Sequence, residues 1–257
     1  MNNKTQYVLR IVRRLLVVYA VFCLIIFLIQ RSLLYFPSHE EPVGELTPWL
    51  DQGNLVGYCR EVSQPQTVWL MLHGNAGQAS DRDYVLDRLP KSDSLYVLEY
   101  PGYGQRPGSP SRVSFDQAAL EAYELLAKRF PSTPLCVLGE SIGSGPASGL
   151  ANAPRPPDKI VLVVPYDQLS AVAGRRFFFL PVRWLLLDNW DNIRALHNYR
   201  GPVDIFAARD DTLIPCTHAK NLAEHVPQSN YQEVPCGHNG WSRMRQVQIR
   251  HEPQTNR

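Results

Sequence analysis

Residues 135–147 read LCVLGESIGSGPA. The segment begins with a short apolar run, which is typical of a buried strand, and continues with small residues, which favour a tight turn into a helix. Ser141 lies between Gly139 and Gly143 in a G-x-S-x-G pattern. The pattern is short enough to arise by chance, so the sequence around it decides whether Ser141 is a reactive serine.

Predicted strands and helices alternate on both sides of this segment. A helix is expected over 114–130, with Ser114 as its N-cap and Pro131 just past its end, and another over 217–226. The predicted strands span 55–59, 67–72, 95–100, 135–139, 159–165, 203–208 and 231–235. This alternation predicts an α/β fold with a mostly parallel central sheet and helices on both faces.

Polar and glycine-rich segments follow four of these strands directly. They are HGNAG at 73–77, Ser141, RDD at 209–211 and CGHNG at 236–240. Ligands of such sheets bind beyond the carboxyl ends of the strands. We therefore expect a serine, an acid and a histidine, in that chain order, to meet at one edge of the sheet.

These residue types fit nucleophilic catalysis. A serine hydroxyl needs a neighbouring base, which His238 would supply, and an aspartate would orient the imidazole. Gly139 and Gly143 would make room for a tight elbow at the nucleophile. The backbone N–H groups of Ile142 and Asn75 are the predicted donors to an oxyanion.

Five segments together resemble a known family. LHGNAG, YPGYGQRPGSPS, GESIGSGPA, DDTLIP and GHN, within about 55–245, are similar to the α/β-hydrolase superfamily. The likeness is to its branch with HGNAG-type oxyanion loops, which includes Bem46-like and lysophospholipase-like serine hydrolases. The resemblance implies hydrolysis of acyl esters, such as lysophospholipids, monoacylglycerols or protein thioesters, and an N-terminal membrane anchor.

The resemblance also bears on the choice of acid. Family acids precede an apolar residue and a proline in the pattern D-x-x-[VI]-P, which Asp211 matches through Pro215. Asp211 is therefore the predicted acid and its neighbour Asp210 the alternative. Asp167 is a further candidate, because some hydrolases carry the acid one strand earlier. His73 is interpreted as a structural residue of the HG turn.

The N-terminal region is strongly apolar. Residues 15–29 form an unbroken apolar run, and 15–36 are predicted to anchor the chain in a membrane. Arg31 is expected to reach the interface, with Tyr35 and Phe36 beside it. A cleaved signal peptide and a buried core helix remain open. Four basic residues precede the run, which predicts a cytoplasmic N-terminus and a catalytic domain on the non-cytoplasmic, extracytoplasmic or periplasmic side.

The predicted organisation has four parts. They are a cytoplasmic stub and anchor (1–36), a connector (37–54), a hydrolase domain (55–245, with a lid-like insertion at 166–202) and a polar tail (246–257). Residues 177–190 of the insertion are expected either to form an apolar, membrane-facing lid for an acyl chain or to pack as a helix on the domain.

Composition narrows the class of partner. Residues 1–31 hold five basic residues and no acid, which leaves 21 basic and 24 acidic residues in the rest. No nucleic-acid partner is expected. The five cysteines show no metal-ligand spacing, so no metal site is predicted. No cofactor is expected either, because a triad of serine, histidine and aspartate needs none. Cys216 and Cys236 are a possible disulfide pair, with free thiols the alternative.

The sequence thus predicts a membrane-anchored serine hydrolase of carboxylic esters, with small-molecule or lipid-derived esters as substrates. A serine peptidase or a thioesterase on the same scaffold is the first alternative. A non-catalytic binding protein with this fold is the second.

Overall fold

A computed structural model describes residues 3–251. The α-helices are α1 (Asn3–Leu34), α2 (Arg112–Arg129), α3 (Ser144–Gly149), α4 (Leu169–Arg176), α5 (Val182–Leu185), α6 (Asn192–Leu196) and α7 (Cys216–His225). The strands are β1 (Phe36–Pro37), β2 (Thr47–Asp51), β3 (Asn54–Arg60), β4 (Val68–Leu72), β5 (Ala76–Gly77), β6 (Ser94–Leu98), β7 (Leu135–Glu140), β8 (Ile160–Val163), β9 (Val203–Ala208) and β10 (Ser229–Val234). Short 3₁₀ helices cover Ala79–Arg88, Ser141–Gly143, Leu150–Asn152 and Trp241–Arg243.

Eight of these strands form one sheet in the order β10-β9-β8-β7-β4-β6-β3-β2. Strand β3 runs antiparallel to β2 and β6, and the other neighbours are parallel. The predicted α/β fold with a mostly parallel sheet is confirmed. Because the parallel strands point the same way, the loops after β4, β7, β9 and β10 leave the sheet at one edge.

The central strands are apolar because both faces of the sheet are covered. Every residue of β4, β6 and β8 is buried. On one face the core includes residues of α2, α3 and α7. On the other it includes residues of the 3₁₀ segments 79–88 and 241–243. Burial on two sides accounts for continuous apolar runs rather than alternation.

Helix α2 begins earlier than the sequence predicted. Its N-cap is Ser111, whose Oγ accepts a hydrogen bond from the backbone N–H of Ser114. The Ser114 hydroxyl in turn accepts from the backbone N–H of Ser111 at 3.0 Å. This reciprocal capping box makes Ser114 the third helical residue, not the cap. Phe130 is the C-cap, before Pro131 as expected.

Two predicted boundaries are wrong. The connector (37–54) contains β2, which pairs with β3 at the edge of the sheet, so the domain begins before residue 55. The tail (246–257) is not solely a tail, because Val247 and Ile249 are fully buried and the Ile249 N–H donates to the Arg88 carbonyl. Residues 252–257 lie outside the described residues.

Helix α1 is long and exposed. At about 1.5 Å per residue its 32 residues extend roughly 48 Å, more than the ~30 Å of a bilayer core. Its most apolar window has a mean hydropathy of 2.5 and is not buried, which excludes the core-helix interpretation. The Arg31 Nε donates to the buried carboxylate of Asp188 at 2.9 Å. Tyr35, also expected at the interface, is buried in the core.

Candidate active site

Ser141 lies on a strained turn between β7 and the following helices. Its φ of 53° falls in the left-handed region that non-glycine residues rarely adopt. A Cβ on Gly139 would come within 2.6 Å of the Ala147 Cβ, and a Cβ on Gly143 would collide with the backbone carbonyls of Leu72 and His73. The flanking glycines are therefore required by close packing, and the turn holds Ser141 at the edge of the sheet.

His238 bridges Ser141 and Asp211. Its Nδ1 is 2.6 Å from Asp211 Oδ2 and its Nε2 is 3.0 Å from Ser141 Oγ. A carboxylate only accepts hydrogen bonds, so Nδ1 carries the hydrogen and Nε2 accepts from the serine hydroxyl. The structure thus brings together the three residues predicted as catalytic, although they lie up to 97 positions apart in the chain.

The structure also separates the candidate acids. The second oxygen of Asp211 accepts hydrogen bonds from the N–H groups of Leu213 and Ile214, which fixes the carboxylate toward His238. Asp210 is exposed. Asp167 lies after β8 and pairs with His218 at 2.8 Å, so it is committed to a different histidine.

The predicted oxyanion donors, Asn75 and Ile142, lie on segments close to the nucleophile. Ile142 follows Ser141 at the start of a 3₁₀ helix, where backbone N–H groups lack intrahelical partners. A Cβ on Gly74 would lie 3.8 Å from the Ser141 Cβ, so the loop carrying Asn75 runs beside the serine. Within residues 3–251 the Asn75 N–H has no hydrogen-bond acceptor.

The end of α1 holds the Asn75 loop in place. Asn75 Nδ2 donates to the Leu34 carbonyl at 2.7 Å, and the Asn75 carbonyl accepts from the Phe36 N–H at 2.9 Å and the Tyr103 hydroxyl at 2.7 Å. Strand β1 pairs in parallel with β5 immediately after. The segment that follows α1 and the predicted oxyanion loop therefore form one hydrogen-bonded unit.

Glu140 is a buried carboxylate that the sequence analysis did not single out. It accepts hydrogen bonds from Trp241 Nε1 at 2.8 Å, from the Tyr84 hydroxyl at 3.0 Å and from the Gly74 N–H at 3.3 Å. Burial and the Glu140 charge raise the pKa of Tyr84, so its hydroxyl stays a donor. Glu140 links the elbow, the Gly74 loop and the segment after His238. The sequence signal that could have identified Glu140 is its position directly before Ser141 in the chain.

His73 plays a structural part, as interpreted from the sequence. It is fully buried, and its Nδ1–H donates to the Gly74 carbonyl at 2.8 Å. Burial lowers the pKa of His73 despite the nearby Glu99, so the ring is neutral. A neutral ring beneath the loop adds packing without adding charge.

All five cysteines are free thiols, including the suggested pair Cys216 and Cys236. Among residues 3–251 there is no cluster of histidine, cysteine and acidic side chains suited to a metal.

Concave regions lie both near these residues and away from them. One, of about 800 Å³, lies between the β2–β3 hairpin and α2 and contains none of the predicted site residues. A cavity of about 430 Å³ is lined by Glu140 and Asn239, the chain neighbours of Ser141 and His238. The cavity of about 430 Å³ is therefore the one that lies beside the candidate site, although it is the smaller of the two.

Fold and sequence relationships define the class of protein. No protein-family profile matches the chain. The structure is similar to an α/β hydrolase of Vibrio vulnificus, with a TM-score of 0.63 and 16% identity over 77% of this chain and 76% of the other. Pyrococcus furiosus esterase Pf2001 gives a TM-score of 0.61 at 13% identity, over 80% and 90% of the two chains. The chain belongs to the α/β-hydrolase superfamily.

Two relatives show how the chain lies within that superfamily. Uncharacterized protein Rv2307c of Mycobacterium tuberculosis is 32% identical over 228 residues, which cover 82% of this chain and 80% of the relative. Lysophosphatidylserine lipase ABHD12 of Danio rerio is 30% identical over 192 residues, 67% of this chain. The match spans only 50% of that lipase's length.

Proposed function

We propose that the protein is a membrane-anchored serine hydrolase of carboxylic esters in which Ser141, His238 and Asp211 act as a catalytic triad. The observation that carries the proposal is the position of His238, which bonds Ser141 through one ring nitrogen and Asp211 through the other. This is the geometry required for a base to activate a serine while an acid orients the base.

The reaction follows from this geometry. Ser141 Oγ attacks the ester carbonyl carbon as its proton passes to His238 Nε2. The carbonyl oxygen becomes an oxyanion, which the N–H groups of Asn75 and Ile142 stabilise. His238 then protonates the leaving alcohol, and an acyl-enzyme remains. A water molecule attacks the acyl carbon, gives a proton to His238 and releases the acid, and the proton returns to Ser141.

Lipid-derived esters are the substrate class we favour. The match to lysophosphatidylserine lipase ABHD12 supports a lipid ester. The position of the predicted oxyanion loop supports it independently, because Asn75 contacts the last residue of the apolar helix. A substrate drawn from a bilayer would meet the site beside that helix.

Helix α1 is proposed as an uncleaved anchor. Lys4, Arg10, Arg13 and Arg14 precede the apolar run, which favours a cytoplasmic N-terminus. The bonds from Leu34 and Phe36 to Asn75 favour retention, because cleavage near residue 36 would remove contacts that the domain uses. The domain would then lie on the opposite side of the membrane.

A fluorophosphonate probe tests the enzymatic proposal. Labelling is expected in the full chain and lost in Ser141→Ala. Ser148→Ala is a matched control, since Ser148 is a buried serine of α3. Absence of labelling in the unmodified protein would favour a non-catalytic binding protein.

Substrate panels test the reaction class. p-Nitrophenyl esters, acyl thioesters and peptides would be compared at equal protein concentration, with lysophospholipids as lipid esters. Ester cleavage is expected to dominate. A higher kcat/KM for thioesters or peptides would replace the esterase assignment while leaving the triad in place.

Protease accessibility tests the orientation. In intact cells a tag on the N-terminus should be protected and the domain digested by external protease, or by protease added after outer-membrane permeabilisation. The reverse pattern would invert the proposed topology. An N-terminus shortened to about residue 36 would show that α1 is a cleaved signal.

A further inference from the structure

We propose that α1, besides anchoring the chain, forms one wall of a binding site for the acyl chain of a membrane lipid, with the insertion α4–α5 as the other wall. This inference rests on the proposed ester hydrolysis and specifies where its substrate binds. The occupant is a linear hydrocarbon chain that reaches the site from the bilayer.

An apolar groove lies between α1 and the insertion. Its volume is about 220 Å³, which is below the range for sites that enclose whole drug-sized ligands and suits one chain. One side is formed by Phe22, Ile26, Gln30, Leu33 and Leu34, and the other by Ala173, Phe177, Phe179, Leu180, Val182, Leu185 and Leu186. Gln30 is the single polar lining residue, so the lining suits hydrocarbon.

Gln30 does not place a free polar group in the groove. Its Nε2 donates to the carbonyls of Phe27 and Leu185, and its Oε1 accepts from the Leu187 N–H at 2.8 Å. With both ends of the amide bonded to backbone, the cost of placing it beside hydrocarbon is offset. Gln30 thus joins the two walls.

Further polar contacts hold the walls together at both ends. The Tyr19 hydroxyl donates to the Phe179 carbonyl at 2.7 Å. Arg31 pairs with Asp188, which also accepts from the Arg112 N–H at the start of α2. The groove is therefore bounded by specific bonds between α1 and the insertion, and is not a loose contact.

One residue of the groove contacts the loop that carries a predicted oxyanion donor. Leu34 lines the groove, and its carbonyl accepts a hydrogen bond from Asn75 Nδ2. Asn75 follows Gly74, whose Cα lies beside Ser141. A chain lying along α1 toward Leu34 therefore has its carboxyl end directed at the predicted oxyanion donors.

Exposed apolar side chains lie on the helices and the segment that form the groove. Phe178 and Trp184 of the insertion are each 84% exposed, and Leu28 of α1 is 71% exposed. Large apolar side chains on neighbouring surfaces mark contact with a membrane or partner. Because α1 is long enough to span a bilayer, these residues would lie in lipid, and lipid would supply the occupant.

Two matched pairs of substitutions on opposite walls test the site in the full chain in detergent micelles. Ala173→Phe fills the groove, and Ala171→Phe places the same ring on an exposed position of the same helix. Ile26→Trp fills it from α1, and Ile25→Trp is its outward-facing control. The substrates are p-nitrophenyl acetate, butyrate, octanoate, laurate and palmitate.

Groove-filling variants should lose activity selectively on long chains. Each methylene that can no longer be buried lowers kcat/KM about fourfold, so laurate and palmitate should fall by tenfold or more. The ratio of palmitate to acetate kcat/KM should therefore fall in the groove-filling variants and keep its original value in Ala171→Phe and Ile25→Trp. Residual acetate hydrolysis shows that the variants fold. Equal chain-length profiles in Ala173→Phe and Ala171→Phe, or in Ile26→Trp and Ile25→Trp, would overturn the proposal.

A binding readout separates this inference from the reaction itself. A diazirine-bearing palmitic acid should crosslink to the α4–α5 peptide, and Ala173→Phe should abolish that crosslink while Ala171→Phe retains it. Crosslinking without ester cleavage or fluorophosphonate labelling would refute the hydrolase proposal alone. Ester cleavage without a crosslink at α4–α5 would refute the acyl-chain site alone.

Discussion

Replacing Glu140 by glutamine should disturb both stability and catalysis. The carboxylate accepts from Trp241 Nε1, the Tyr84 hydroxyl and the Gly74 N–H. An amide of the same shape has one accepting oxygen and one NH₂ group. Whichever way it turns, the NH₂ group faces either the Trp241 indole N–H or the Gly74 N–H, and one buried donor loses its acceptor.

The magnitude follows from the lost bond. Hydrogen bonds to a charged group contribute about 1.5–3 kcal/mol, and an unsatisfied buried donor costs about 1–3 kcal/mol. We expect Glu140→Gln to lower the free energy of unfolding by about 2 kcal/mol, which is roughly 4–8 °C in Tm for a domain of this size. If the Gly74 N–H is the donor that loses its acceptor, the Asn75 loop shifts, and a displacement near 1 Å lowers kcat by about 100-fold.

Thermal melting and ester kinetics measure the two effects together. The control is Glu124→Gln, the same change at an exposed position on α2, which should alter neither quantity. A fall in kcat with little change in KM would identify Glu140 as a positioning residue for the loop. Unchanged kcat and Tm in Glu140→Gln would refute the reasoning, since the hydrogen bonds to Glu140 would then contribute measurably to neither stability nor catalysis.

Three other predictions concern the catalytic acid, the glycines at the elbow and in α3, and the Asp167 carboxyl. Asp211→Asn should lower kcat by about 10⁴-fold, because the amide no longer fixes the tautomer of the His238 imidazole. Asp210→Asn should leave kcat nearly unchanged. Equal losses of kcat in the two variants would contradict the choice of Asp211 as the acid. Gly143→Ala should destabilise the protein by about 1–3 kcal/mol, because the new Cβ overpacks the elbow. Gly149→Ala places its Cβ in open space on a helix and should stabilise the protein by about 0.5–1 kcal/mol. Urea unfolding measures both changes. Burial raises the pKa of the Asp167 carboxyl, but its hydrogen-bond donors outweigh burial and leave that pKa below the ordinary value. The Asp167 carboxylate therefore stabilises the fold fully above its unfolded-state pKa, and this stabilisation is lost as the pH falls through the lower folded-state pKa. Asp167→Asn should make the fall of Tm below about pH 4 less steep. Parallel curves of Tm against pH for the two proteins would contradict this.

The positions of Ser141, Asp211 and His238 were predictable because parallel strands place the residues that follow them at the same edge of the sheet. Each residue follows a strand directly, and the carboxyl ends of parallel strands share one edge. Identifying strand ends was therefore enough to place three distant residues together. The choice of Asp211 over Asp210 needed the loop pattern after it, where the N–H groups of Leu213 and Ile214 fix the carboxylate.

Other features depend on contacts that no local pattern contains. Strand β1 has two residues, too few for any periodicity, and its partner β5 lies about 40 positions away. Strand β2 includes Pro48, which argues against a strand in sequence analysis but is tolerated at an edge, where β2 lies. The role of Glu140 depends on Trp241, 101 residues further on.

The pairing of β1 with β5 has a consequence for the life of the protein in a cell. Proteolytic cleavage between residues 39 and 45 would leave Phe36 and Pro37 on the fragment that carries α1, the proposed anchor. A domain released from that fragment would lose β1 together with the contacts that α1 makes with the insertion. The liberated enzyme would keep Ser141 and His238 and would lose the peptide strand that braces Asn75. With α1 as the proposed anchor, shedding would thus impair the proposed hydrolase rather than release a working secreted form.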